Sequence, residues 1–189
     1  GGSSRKIRNF LQISNKIFII YSSKSENRLG YFKTELVEAI SPKYFNNKKK
    51  TAALLSSSSI LNLLLPESQS CKKLYISLDT LLKNFNDDDW IVQYIYWELI
   101  LIKELGFDPY LEQFYGIAKD ESHQKKIEID NVKYQVPNFL LSKKKTDILN
   151  SREIITALSF TRNILINKFF LPNNLLFPKS RILLENYFN

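Results

Sequence analysis

Apolar and polar positions change their period twice along the chain. Residues 1–40 read as strands. Ile17-Phe18-Ile19-Ile20-Tyr21 is β-branched and aromatic, and Arg28 to Val37 alternates loosely around Leu29, Tyr31 and Leu36, with Ser, Asn and Lys in the gaps. Three strands are too few to close a barrel, so this region is expected to be part of a β domain rather than a whole one.

After Pro42 and the run Lys48-Lys49-Lys50, expected to be solvated, the period becomes helical. Thr51 to Leu65 is predicted as a helix ended by Pro66, although Ser56 to Ser59 weakens its propensity. Leu74, Leu78, Leu81, Leu82 and Phe85 form an amphipathic stripe. Asp87-Asp88-Asp89 is expected to cap the next helix, Trp90 to Leu105, and Gly106 to stop it. That helix is apolar nearly all round, the mark of a position at the centre of a bundle. Ile127-Glu128-Ile129 and Val132-Lys133-Tyr134 alternate around Asp130-Asn131 as a small hairpin. Helices resume from Ser151 to Phe170 and from Pro178 to Phe188, with Pro178 suited to a first turn. The predicted class is α+β: a partial N-terminal β-barrel over residues 1–42, then a helical bundle over 43–189 carrying an inserted hairpin.

Composition adds bounds. Apolar residues make up 44% of the 189, enough for a core, and the formal net charge is +8. Cys71 is the lone cysteine, so a disulfide within the chain is excluded and a reducing compartment is the default. The longest charge-free stretch, Thr51 to Pro66, falls short of the ~18–20 apolar residues a membrane span needs. No signal peptide is recognisable at the start, and a soluble cytoplasmic protein is expected. Met is absent and the chain opens on Gly1-Gly2, the pattern of a fragment. Lys, Asn, Ile, Phe and Tyr are abundant, all with AT-rich codons, which weakens total charge as a sign of nucleic-acid binding.

The placing of the charge says more. Arg5, Lys6, Arg8, Lys16, Lys24, Arg28 and Lys33 face Glu26 alone within residues 1–34, which puts +6 of the +8 there. Three of these are Arg, which AT bias does not favour. Basic side chains interleaved with Phe10, Phe18, Tyr21, Tyr31 and Phe32 meet the needs of single-strand binding, where cations follow phosphates and aromatic faces stack on bases. The competing reading is a barrel with aromatics in its core and lysines on its surface.

Enzymatic readings find no support. His123, the single histidine, lies in a polar stretch with no nearby group that makes it a base. No glycine-rich phosphate loop is present. The three aspartates at 87–89 have the chemistry to ligate Mg²⁺, but capping explains them. Cys71 beside Lys72 and Lys73 has no partner base. No catalytic residue, metal or cofactor is implied, and the chain is expected not to be an enzyme.

Five segments, in order, resemble the RecO family of bacterial recombination mediators. Trp97-Glu98-Leu99-Ile100-Leu101-Ile102-Lys103-Glu104-Leu105-Gly106-Phe107 is similar to the family's central helix, an aromatic and Glu followed by an apolar run and Leu-Gly-aromatic. Phe160-Thr161-Arg162, with Leu165 and then Pro178-Lys179-Ser180-Arg181-Ile182-Leu183, resembles its closing helices. Pro137-Asn138-Phe139-Leu140 stands where the family has Pro-x-Phe-Leu, and Leu65-Pro66-Glu67 matches a Pro-Glu that ends an earlier helix. Gly2-Ser3-Ser4-Arg5-Lys6 resembles the entry to the third strand of the family's OB-fold, with Leu11-Gln12 and Leu29-Gly30 following. Many members carry a Cys after the Leu-Gly-aromatic segment, sometimes in a zinc site; Phe114 holds that place here, so no metal is implied.

The resemblance implies a partial OB-fold lacking its opening strands and a non-enzymatic role in DNA repair and recombination. Family members bind single- and double-stranded DNA, anneal complementary strands, contact the acidic tail of single-stranded-DNA-binding protein and, with RecR, help load RecA. It places the protein in the cytoplasm, at the nucleoid. On this reading Arg5, Lys6, Arg8, Lys16, Arg28 and Lys33 hold phosphates. Lys125, Lys126 and Lys143, Lys144, Lys145 near Phe139 and Leu140 receive the acidic tail. Glu98, the odd residue of an apolar helix, needs a cation, either Arg162 or Arg181, which are then structural. The alternative is an OB-fold RNA-binding or ribosome-associated module, which the N-terminal charge alone would allow. A protein-interaction scaffold with an incidental basic strand is a third class.

Overall fold

A computed structural model describes residues 10–23, 29–115, 124–142 and 149–189. Among these residues it shows a mixed structure of five α-helices and two small antiparallel sheets. Strands β1 (Lys16–Ser22) and β2 (Tyr31–Glu38) pair as an antiparallel hairpin, with a bulge where the partner shifts from Glu38 to Leu36 between Lys16 and Ile17. A 3₁₀ turn, Ser41–Tyr44, leads into α1 (Lys48–Leu64). The lysine run expected to be solvated is the first turn of that helix. Asn47 caps it, accepting from the Lys50 backbone N–H at 3.1 Å, and half of the serine tract faces inward, with Ser56 and Ser57 buried. Helices α2 (Lys72–Lys83) and α3 (Trp90–Glu104) follow.

Gly106 ends α3 as expected. At φ +100° it takes a conformation that disfavours a side chain, while the N–H groups of Gly106 and Phe107 return to Lys103 and Ile102. The start of α3 departs from expectation. Asp89 occupies the cap position but its carboxylate makes no capping bond; Oδ1 instead accepts from Gln93 Nε2 at 2.6 Å. A long amide one turn along competes for the carboxylate that the backbone would otherwise use.

The inserted hairpin joins β3 (Gln124–Ile129) and β4 (Val132–Pro137). Asp130 and Asn131 both have positive φ, the twist a two-residue hairpin loop requires. The next helix, α4 (Ser151–Leu165), opens with a capping box between Asn150 and Glu153 and runs into a π turn, Ile166–Phe170. The last helix is α5 (Lys179–Asn186). The core gathers around α3, whose Ile91, Tyr94, Ile95, Trp97, Leu101 and Ile102 are all buried. It packs between α2 and α4, while α5 lies along α1 and β4 covers α4. Among the described residues no helix is long and apolar enough to cross a membrane.

Candidate nucleic-acid interface

The β1–β2 hairpin presents two unlike faces, fixed by its register. One carries Ile17, Ile19 and Tyr21 against Leu36, Thr34 and Phe32, almost wholly apolar, with the Tyr21 and Phe32 rings 5.3 Å apart. The other sets Phe18, Ile20 and Ser22 against Glu35, Lys33 and Tyr31, aromatics interleaved with charge. Both faces are open: Tyr31 is 67% exposed and Phe32 66%. Side chains of this size are normally buried when strands belong to a complete sheet layer. The apolar face therefore has the character of an inner surface and the mixed face that of an outer one.

The hairpin is anchored at its base. Lys16 Nζ donates to Asp79 on α2 at 2.6 Å and lies 5.8 Å from the Tyr75 ring centre. That bond, with a second from Lys83, holds the Asp79 carboxyl below its ordinary range and Lys16 above its own. Asn15 Oδ1 accepts from the backbone N–H groups of Ile40 and Ser41, and Ser14 meets Ser58 of α1 through their hydroxyls. Of the six basic residues expected to hold phosphate, Lys16 is thus engaged by a carboxylate. Lys33 stands exposed across from Ile20. Arg5, Lys6, Arg8 and Arg28 lie outside the described residues.

In the helical part the structure brings the charged candidates together. Glu98 and Arg181 are fully buried and paired twice: Nε donates to Oε1 at 2.6 Å and Nη2 to Oε2 at 3.0 Å. Arg162 meets Glu185 instead, at 3.1 Å. Glu185 also receives Arg181 Nη1 at 3.4 Å and the Ser159 hydroxyl at 2.8 Å. Thr161 donates to Glu98 Oε2, Tyr94 to Oε1, and Ser56 closes the chain on Tyr94 at 2.7 Å. The network ties α1, α3, α4 and α5. Burial alone would lower the Arg181 guanidinium, but the charge and hydrogen bonds of Glu98, together with Tyr94 and Glu185, outweigh it and hold the group above its usual range. Burial, reinforced by Glu98, pushes the Tyr94 hydroxyl well up. Sequence reasoning missed Glu185, Tyr94, Thr161 and Ser56; the one available signal was Glu185, placed i+4 from Arg181 on the same helix face.

The residues expected to receive an acidic tail are divided. Phe139 and Leu140 are core, 4% and 3% exposed, with Phe139 edge-on to Tyr96. Leu140 still reaches the wall of a largely apolar cavity of about 230 Å³ with Tyr96, Ile100 and Tyr115, which Lys103, Asp108 and Glu112 also line. Lys125 and Lys126 lie on β3, Lys126 exposed and Lys125 half-buried. Lys143, Lys144 and Lys145, like His123, lie outside the described residues. Phe114 sits in a 3₁₀ turn, Leu111–Phe114, and among the described residues no cluster of His, Cys, Asp or Glu has the arrangement to hold a metal.

Residues 47–144 match the family described as Recombination protein O C terminal. The DNA repair protein RecO of Wolbachia pipientis subsp. Culex pipiens is 39% identical over 98 residues, 51% of this chain and 40% of that protein. The DNA repair protein RecO of Wolbachia sp. subsp. Drosophila simulans is 37% identical over 98 residues, 51% of this chain and 41% of that protein. That of Ehrlichia chaffeensis is 34% identical over 106 residues, 55% and 43% of the two chains. The chain thus aligns with less than half the length of these relatives. No solved structure matches it. The matched stretch covers α1 to the inserted hairpin and includes the central helix with Glu98; the chain belongs to the recombination protein O family, and to its C-terminal part.

Proposed function

We propose that this chain serves DNA repair and homologous recombination as part of a RecO mediator, working without catalysis in the cytoplasm at the nucleoid. Its β1–β2 hairpin, with residues 1–42, is part of an OB-fold that binds single- and double-stranded DNA. The observation that carries this reading is the mixed hairpin face: Phe18 and Tyr31 offer rings for stacking beside Lys33, within the most basic stretch of a chain of the recombination protein O family. Lys33, Arg5, Lys6, Arg8 and Arg28 neutralise phosphates, while Lys16 holds the hairpin to α2. Neutralising two backbones at once lets complementary strands pair, and released counterions supply the affinity. In this role the protein assists RecA loading together with RecR. The acidic tail of single-stranded-DNA-binding protein seats on the helical domain, its apolar end in the cavity walled by Leu140 and its carboxylates toward Lys125, Lys126 and Lys143–Lys145.

The test is annealing and DNA binding by the full-length protein. Annealing of complementary oligonucleotides, bare or coated with single-stranded-DNA-binding protein, should accelerate; an RNA-binding module or a scaffold would leave the rate unchanged. If about four cations contact single-stranded DNA, log affinity against log salt should have a slope near −3, from about −0.7 per contact. Replacing Arg5 and Lys6 by alanine should flatten it by about one to two units without changing base preference. Equal slopes would exclude DNA from these strands.

A further inference from the structure

The triplet Asp87-Asp88-Asp89 reads as a helix cap, and the structure leaves it without that task. Asp89 is turned to Gln93. Among the described residues, none of the three forms an ion pair, in a chain with 27 basic side chains and a net charge of +8. Beside them α2 and α3 part to leave a groove of about 510 Å³. Asp87 and Asp89 line it with Asn84, Gln93 and Tyr96, and neither Lys nor Arg does. Trp97, 1% exposed, also lines it, and its buried indole N–H has no acceptor among the described residues. An unmet buried donor is costly, and such a group in a native structure calls for a partner.

We propose that this groove docks a basic peptide segment of a partner protein. An Arg or Lys side chain lies over the half-exposed Tyr96 ring and meets Asp87 and Asp89, while a backbone carbonyl of the segment turns toward the Trp97 indole. Charge complementarity selects this occupant. The rest of the molecule repels cations at long range, so a cationic segment is held only where carboxylates stand free of internal partners. DNA is kept out by the same carboxylates. A divalent metal fits less well, because these aspartates are not arranged with a third ligand as a metal-holding group. The groove lies on the α2–α3 side, apart from the hairpin faces assigned to DNA, so one molecule can hold both.

The experiment uses a fluorescein-labelled peptide of alternating arginine and glycine, and a matched peptide with glutamate for arginine, titrated by anisotropy against the full chain. The arginine peptide should bind preferentially and change the tryptophan emission. The Asp87→Asn/Asp89→Asn variant, which keeps the oxygen that Gln93 uses, should bind it about five- to ten-fold more weakly. Tyr96→Leu should weaken it independently, and Glu112→Gln, which does not line the groove, should not; melting curves verify that each variant is folded. Affinity unchanged in both groove variants overturns the proposal, as does preference for the glutamate peptide. So does displacement of the peptide by sub-millimolar Mg²⁺, which would mark a metal site. Dimerisation that disappears in the Asp87→Asn/Asp89→Asn variant would also overturn it, since a second copy would then be the occupant.

Discussion

The helical bundle and the β1–β2 hairpin are built from the same kinds of side chain and treat them in opposite ways. In the bundle, Trp97, Tyr94, Phe85, Phe160 and Phe170 are fully enclosed, and the buried Glu98, Arg181 and Glu185 satisfy one another, with the partly exposed Arg162 closing on Glu185. In the hairpin, Phe18, Ile19, Tyr21, Tyr31 and Phe32 all face solvent. Among the described residues no second layer covers this two-stranded ribbon, and such a ribbon is marginal alone. Alternating apolar residues therefore report which surfaces a segment is made to bury or to offer, whereas coverage depends on what else is present. The bundle contains its own partners; the hairpin borrows α2 through Lys16 and Asp79.

The largest effect is expected at Glu98. Glu98→Ala removes both short bonds to Arg181, which is 0% exposed and keeps only the 3.4 Å contact to Glu185 as an ion pair, so the loss should be about 3–5 kcal/mol in urea unfolding. Replacing both partners, Glu98→Leu with Arg181→Met, should cost far less, because no charge is left uncompensated and Glu185 retains Arg162. A loss below about 1 kcal/mol for the single variant would mean that the pair opens to water.

Much of this architecture was legible in the residues. Asp130-Asn131 between alternating runs specifies its turn locally, and Leu105-Gly106 specifies a helix end, since both depend on backbone conformations that few residues adopt. The polar anomaly of Glu98 in an apolar helix was visible too, but not which arginine it meets: that choice depends on how α4 and α5 cross α3, a long-range matter. Long-range packing also explains Phe139 and Leu140. Beside a basic run they read as an exposed apolar patch, yet the helices close over them. Asp89 shows the reverse difficulty, a competent local cap diverted by Gln93.

A smaller effect sharpens the hairpin side. Asp79 is held below the ordinary carboxylate range by its hydrogen bonds from Lys16 and Lys83. A depressed pKa in the folded state means that its contribution is present above the unfolded carboxylate value and is lost as pH falls through the folded one. The hairpin should therefore stay tethered to α2 at neutral pH and loosen only in acid, below the ordinary Asp range. With both groups partly exposed and screened by solvent, the contribution should be small. NMR resonances of hairpin residues should move with this titration, and Asp79→Asn should remove the acid-dependent shift. Hairpin resonances with the same pH profile in that variant would mean that the tether lies elsewhere.

The smallest effect tests the two faces directly. Ile19 lies half-exposed on the apolar face, so Ile19→Ser in this chain should change stability by no more than about 0.5 kcal/mol. Leu101→Ala in the enclosed bundle should cost about 2–5 kcal/mol. In a full-length protein carrying the further strands of the proposed OB-fold, the Ile19 substitution should become as costly as a core change, because the apolar face would then be covered. Phe18→Ser, on the mixed face, should remain cheap in both and weaken DNA binding instead, since a stacking ring is lost without a packing partner. Parallel urea titrations of both variants in both chains separate the cases. If Ile19→Ser stays equally mild in the long protein, the apolar face is an outer surface, and the assignment of inner and ligand-facing sides must be reversed.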